Sequence, residues 1–83
     1  MSWYVYILRC SDNSYYIGIT NHLQERVYAH NSKKGSIYLR TKLPVKLLYS
    51  ELWPNKSEAR KREIQLKGWT RKKKKMLICG ILK

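Results

Sequence analysis

Apolar and polar positions along this chain change period several times, and each change marks an element. Positions 3–9 are aromatic and β-branched, which predicts a strand. Ser11-Asp12-Asn13-Ser14 is turn chemistry, and positions 15–20 read as the returning strand, so a β-hairpin is expected at the N-terminus. From position 21 to about 32 the spacing is helical, with Leu23 and Val27 on the buried stripe. Asn21 stands where a cap is wanted and Gln24 where a capping box would close. The polar stretch 32–36 ends this helix. Positions 37–44 read as an irregular, basic connection. Positions 45–52 predict a third strand, broken by Pro54-Asn55. Asn55 with Glu58 opens a helix to about position 67, Gly68 interrupts it, and Thr70 caps a last helix to about position 79.

The order is thus β-β-α-β-α-α, an α/β chain of the α+β kind. No repeat, linker or second domain interrupts it, and at 83 residues it reads as one domain, 1–83. The hairpin carries a condition on its register. Cross-strand partners share a face, and a slip of one residue flips a side chain to the other. Tyr6 and Tyr16 share a face only if paired residue numbers sum to an even value, as with Tyr6 opposite Gly18. A plain four-residue turn at positions 11–14 gives an odd sum, so an odd loop or a bulge is expected.

Charge narrows the partner. Lys and Arg number 18 against five carboxylates, a formal net charge of +13. An excess of that size implies a polyanion, and nucleic acid is the first candidate. A basic solvated surface or a ribosomal protein is the plainer alternative. No apolar run reaches transmembrane length and no basic amphipathic helix stands clear of the fold, so no membrane partner is expected. The N-terminus lacks a basic n-region and a cleavage site, which points to the cytoplasm. Cys10 and Cys79 show no metal-ligand spacing; no zinc site is expected, and buried free thiols are. Ten of the 18 basic residues fall between Lys56 and Lys75. Lys67, Arg71, Lys72, Lys73, Lys74 and Lys75 are the candidates for phosphate contact, against the alternative that the run is a solvated face.

Candidate chemistry comes from residues that break the apolar pattern. At about 100° per residue, Arg26 and His30 lie about 40° apart, on either side of the Leu23–Val27 direction. Both are expected to lean on the sheet, where a basic pair needs partners. Taken singly, each also reads as a snorkelling arginine or a neutral core histidine. Glu63 points about 40° from Ala59 and about 60° from Leu66, towards the core. An i,i+4 pair with Lys67 is its plain alternative. Five carboxylates with no tight cluster are too few for a two-metal site, leaving one divalent ion or none. Seven tyrosines, three tryptophans and no phenylalanine suit half-buried sheet positions with hydroxyls at the rim, and also base stacking. Gly18 lies two residues beyond Tyr16 on the same face, leaving room for a phosphate.

Tyr4-Val5-Tyr6, Tyr16-Ile17-Gly18, Gly18-Ile19-Thr20, Arg26, His30 and then Glu63 within Arg62-Glu63-Ile64-Gln65-Leu66-Lys67-Gly68-Trp69 form an ordered set. The set resembles the GIY-YIG nuclease superfamily, in its small stand-alone bacterial form, over nearly the whole chain. Tyr4 stands in place of the family's first glycine, and no asparagine follows Asn55. The resemblance implies a three-stranded antiparallel sheet flanked by helices. It also implies hydrolysis of a phosphodiester, of DNA before RNA, with one Mg²⁺ or Mn²⁺ on Glu63 and no small-molecule cofactor. Tyr6 would be the base that activates water, and Tyr16 would assist it and orient the phosphate. Arg26 would stabilise phosphate charge, and His30 would bond a tyrosine or accept a proton. Nothing is left over for a target-binding domain, so structural preference and a separate targeting protein are expected. A binding module that kept the fold but lost the chemistry is the alternative.

Overall fold

The computed structural model of the chain describes residues 2–32 and 37–80. Three strands form one antiparallel sheet in the order β2-β1-β3. Strand β1 is Trp3–Arg9, β2 is Tyr15–Thr20 and β3 is Lys46–Trp53. The helices are α1, Leu23–Asn31, α2, Lys56–Lys67, and α3, Arg71–Ile78. The strand and helix order is β-β-α-β-α-α.

Strand β1 is central, and Val5, Tyr6, Ile7 and Leu8 are all buried. Its pleat sends alternate side chains into two cores. Val5 and Ile7 join Ile17, Ala59, Leu66 and Leu77 beneath α2 and α3. Tyr6 and Leu8 join Cys10, Leu39 and Val45 on the other face, with Leu23 and Val27 of α1 packed alongside. Each fully buried aliphatic side chain contributes about 1.5–3 kcal/mol by leaving water.

The hairpin register is the even one. Tyr6 pairs with Gly18 and Arg9 with Tyr15. Cys10 N–H donates to the Ser14 carbonyl at 2.9 Å, and Asn13 N–H to the Cys10 carbonyl at 2.9 Å. That closes a three-residue loop, with Asn13 at φ 69°. An asparagine tolerates this left-handed position, and the odd loop keeps Tyr6 and Tyr16 on one face. Asp12 accepts from Ser14 N–H at 3.0 Å and Ser14 O–H at 2.6 Å, and pairs with Lys42 at 2.8 Å. Between β1 and β3 the register slips at Ile7/Leu8, which face Tyr49 and Leu47, leaving Leu48 as the extra residue.

Several local expectations change. Asn21 does not cap α1: the helix begins at Leu23, and its N-cap is His22, which makes no side-chain cap bond. Thr20 Oγ1 instead accepts from His22 N–H at 3.0 Å and shapes the turn into the helix. The connection after α1 is partly regular, because Ile37–Thr41 forms a 3₁₀ turn that buries Leu39. The breakers expected at positions 33–36 lie outside the described residues. Both later caps form: Asn55 Oδ1 accepts from Glu58 N–H at 2.9 Å, and Thr70 Oγ1 from Lys73 N–H at 3.2 Å. Both cysteines are free, but only Cys10 is buried; Cys79 is exposed at the end of α3.

Candidate active site

The site grows from the even face of the hairpin. Tyr6 is 2% exposed and its ring lies across Gly18. A Cβ on Gly18 would stand 2.6 Å from the Tyr6 hydroxyl oxygen, 2.8 Å from its Cζ and 3.2 Å from Tyr16 Cε2. Only glycine leaves that space. The room expected beside Tyr16 is therefore taken up by the Tyr6 phenol rather than left open for phosphate.

Helix α1 brings His30 to the same face. Asn31 fixes the end of that helix: its amide donates to the Val45 carbonyl at 3.1 Å and its carbonyl accepts from Val45 N–H at 2.7 Å. His30 is buried, and its Nε2 lies 3.1 Å from the Tyr6 hydroxyl. Three rings cluster here. Centroids are 6.4 Å apart for Tyr6 and Tyr16, 6.3 Å for Tyr6 and His30, and 5.6 Å for Tyr16 and His30, the last edge to face. Tyr38, 58% exposed, stacks on the outer side of Tyr16 at 6.3 Å.

Arg26 lies on the exposed side of α1, not against the sheet. Its charge still acts on the centre, lowering the pKa of both His30 and Tyr6. Burial pushes His30 down first, with Arg26 second, so the imidazole is neutral at neutral pH. Tyr6 moves the other way. Burial pushes its phenol well up; Tyr16 and Glu63 add to the rise and Arg26 opposes it. The phenol therefore keeps its proton in the metal-free chain, and the basic surround alone does not produce a phenolate.

Glu63 is buried at 6% in α2, as its helical phase requires, and α2 packs against β2 and β1. Its expected pair with Lys67 also forms, at 3.3 Å, and Arg60 approaches the other oxygen at 3.5 Å. Among the described residues no three His, Cys, Asp or Glu side chains cluster as metal ligands. One buried carboxylate whose charge reaches the Tyr6 phenol is a donor set that fits a single hard cation completed by water and substrate oxygens.

Of the basic candidates, Arg71 packs its guanidinium 4.1 Å from the centre of the Tyr15 ring, and Lys73 its ammonium 4.3 Å from the centre of the Trp69 indole. Lys72 and Lys75 are exposed and Lys74 is half-buried. Lys67 is engaged by Glu63. Helix α3 belongs to the odd face, through Leu77 and Ile78, so the basic run and the tyrosine–histidine centre flank the sheet from opposite sides.

A second centre escapes sequence reasoning. Glu51 on β3 accepts from Tyr49 O–H at 2.6 Å, Trp53 Nε1–H at 2.8 Å and Arg62 Nε–H at 2.7 Å. Its signal is Tyr49, Glu51 and Trp53, three polar-tipped residues at period two. A groove of about 770 Å³ lies here, lined by Glu51, Arg62, Gln65 and Leu77 among others. Tyr38 and Arg60 escape it as well. Tyr38 gives no signal in an aperiodic stretch, whereas Arg60 does, three residues before Glu63.

A three-stranded sheet with helices on both faces thus holds a buried tyrosine–histidine pair within reach of a carboxylate's field. The model of the GIY-YIG catalytic domain matches residues 2–76, and the chain belongs to the GIY-YIG family. A UPF0213 protein of Bacillus pumilus is 49% identical over 75 residues, covering 90% of this chain and 76% of that one. The UPF0213 protein CPE1444 of Clostridium perfringens is 51% identical over 77 residues, covering 93% and 83%. Among solved structures, the UPF0213 protein BH0048 of Bacillus halodurans is similar at TM-score 0.62 and 39% identity, covering 95% of this chain and 84% of that one. The E. faecalis protein EF2693 gives TM-score 0.66 and 36% identity, with 96% and 85% covered. No helix among the described residues is long and apolar enough to cross a membrane.

Proposed function

We propose that this chain is a divalent-metal-dependent endonuclease of DNA that selects structure rather than base sequence. The buried Tyr6–His30 contact at 3.1 Å carries the reading. A phenol in such surroundings is a poor pre-formed base, but it relays a proton well. As the Tyr6 oxygen takes a proton from the attacking water, its own proton passes to His30 Nε2. His30 is suited to receive it because burial and Arg26 keep it neutral. Tyr16, edge-on to His30, directs its hydroxyl to the phosphate. Arg26, exposed at the rim, meets phosphate charge as it develops. Glu63 would hold Mg²⁺ or Mn²⁺, which when bound stabilises charge on the phosphate and leaving oxygens.

DNA is favoured over RNA on the family's account. Structural preference follows from contacts that do not read bases. The basic helix α3 supplies backbone contacts, which position nucleic acid without reading bases. A separate protein in the cytoplasm would supply targeting.

A second reading, a binding module with little chemistry, has one observation in its favour: Tyr6 is held protonated while Glu63 is already paired. Incubation of the protein with branched, flapped, single-stranded and duplex DNA, with Mg²⁺, Mn²⁺ or EDTA, separates the two. The nuclease reading expects divalent-dependent cleavage, weakest on plain duplex, and its loss in Tyr6→Phe. Binding across the panel without cleavage would leave the module.

A further inference from the structure

Glu63 is a fixed carboxylate between two movable cations. Its side chain is 8% exposed and held by α2 packing, whereas those of Arg60 and Lys67 are 64% and 56% exposed. The three share one helical stripe, at i−3, i and i+4. Each carboxylate oxygen has one cation: Oε1 has Arg60 Nε at 3.5 Å and Oε2 has Lys67 Nζ at 3.3 Å. Both separations exceed the roughly 2.7–2.9 Å of a tight charge-assisted bond. Such pairs are worth little and their heads swing into water at small cost. Arg62 grips Glu51 quite differently, at 2.7 Å with both groups largely shielded.

A hard divalent ion needs the same oxygen lone pairs that Arg60 and Lys67 face. It cannot approach while two positive heads stand there. We propose that Arg60 and Lys67 are exchangeable counter-ions of Glu63. They neutralise it in the metal-free chain, leave when the ion binds, and then hold nucleic-acid phosphate beside it. The proposal rests on Glu63 being the metal ligand. It makes metal and nucleic acid bind with positive coupling, which thermodynamics requires to be reciprocal.

The test is Mn²⁺ affinity without nucleic acid, from paramagnetic broadening of backbone amide signals around Glu63. Four proteins are compared: wild type, Arg60→Gln/Lys67→Gln, Glu63→Gln, and Lys72→Gln/Lys74→Gln as a control with the same change in net charge. The Arg60/Lys67 variant should bind about five- to tenfold tighter than wild type, the yield of relieving two exposed pairs. The control should change by less than about twofold, and Glu63→Gln should lose the broadening. If the Arg60/Lys67 variant matches the control while Glu63→Gln is blind to Mn²⁺, the counter-ion inference fails and the ligand stands. If Glu63→Gln broadens like wild type, the ligand reading fails and takes the inference with it. In a Tyr6→Phe background, Mn²⁺ should tighten binding of a labelled flapped duplex several-fold, and Arg60→Gln/Lys67→Gln should abolish that gain. An undiminished gain in the variant overturns the phosphate-holding role.

Discussion

The molecule holds two centres built from the same parts, a tyrosine, a glutamate and an arginine, and uses them differently. On the odd face Glu51 is saturated. Tyr49, Trp53 and Arg62 all donate to it within 2.8 Å, and the Arg62 NH1 group goes to Gln65 at 2.9 Å. Burial pushes the Glu51 carboxyl up, but these bonds and the Arg62 charge hold it below the usual range. Tyr49 is pushed up to about 12 by burial and by its bond to Glu51. At the other centre Tyr6 bonds His30 and Arg26 is exposed, while Glu63, carried on α2, has loose, solvent-facing cations. A closed network fixes structure, and an open one leaves lone pairs and charges for a substrate. The groove beside Glu51 is thus a weaker guide to chemistry than the unsaturated centre at Tyr6.

The largest effect on that contrast is expected from Gly18→Ala. The added methyl would meet the hydroxyl end of a ring that is itself buried, so Tyr6 must move. Cleavage should fall by ~10²–10⁴-fold, as when an acid–base group is removed, with about 1–3 kcal/mol of overpacking. The Glu51 network should persist, seen as an unchanged near-ultraviolet signal from Trp53. Normal cleavage by this variant would break the assignment of the even face.

A smaller effect concerns pH. His30 has a folded pKa below its ordinary 6.5, so the unfolded chain binds the extra proton first as pH falls. Its contribution is fully present above about pH 6.5 and is lost as pH falls through the lowered folded value. Denaturant titrations at a series of pH values should show that slope in wild type and a flatter one in His30→Gln. The acid limb of kcat/KM should likewise have its midpoint below 6.5. A midpoint above that ordinary value would remove neutral His30 as the proton acceptor.

The smallest effect probes the odd face as a binding surface without chemistry. Neutralising Lys72, Lys74 and Lys75 should weaken nucleic-acid affinity. The logarithmic salt dependence should flatten by about 0.9 for each phosphate that these lysines neutralise in the wild type. The rate at saturating substrate should stay put, because none of these groups lies on the face of Tyr6. An unchanged salt slope would make the run a solvated surface. Lys73 and Arg71 are kept intact because they pack on Trp69 and Tyr15.

What is legible in the sequence is local and periodic. Element order, the Asn55 and Thr70 caps and the inward phase of Glu63 follow from spacing alone. The even register follows from asking how two phenols could share a face, and the loop with Asn13 in the left-handed region supplies it. What stays hidden is long-range or aperiodic. Helical phase gives the direction of an arginine's Cβ but not its burial, so Arg26 is exposed although its charge still acts on Tyr6 and His30. Asn21 is not the cap of α1, and Thr20 instead bonds the His22 amide just ahead of the helix. Glu51 meets Arg62 only when β3 and α2 pack together, and no spacing rule joins them.

The central claim is that chemistry belongs to Glu63 and architecture to Glu51. It is tested most directly by measuring cleavage rate and Tm side by side for Glu63→Gln and Glu51→Gln. Glu63→Gln should lose cleavage by ~10²–10⁴-fold while Tm barely moves, since its pairs are exposed on the cation side. Glu51→Gln leaves Arg62 short of its charged acceptor and should cost about 2 kcal/mol, roughly 10 °C in a chain of this size. The folded fraction of that variant should cleave at close to the wild-type rate. Wild-type cleavage by Glu63→Gln, or a lost rate in well-folded Glu51→Gln, would contradict the account.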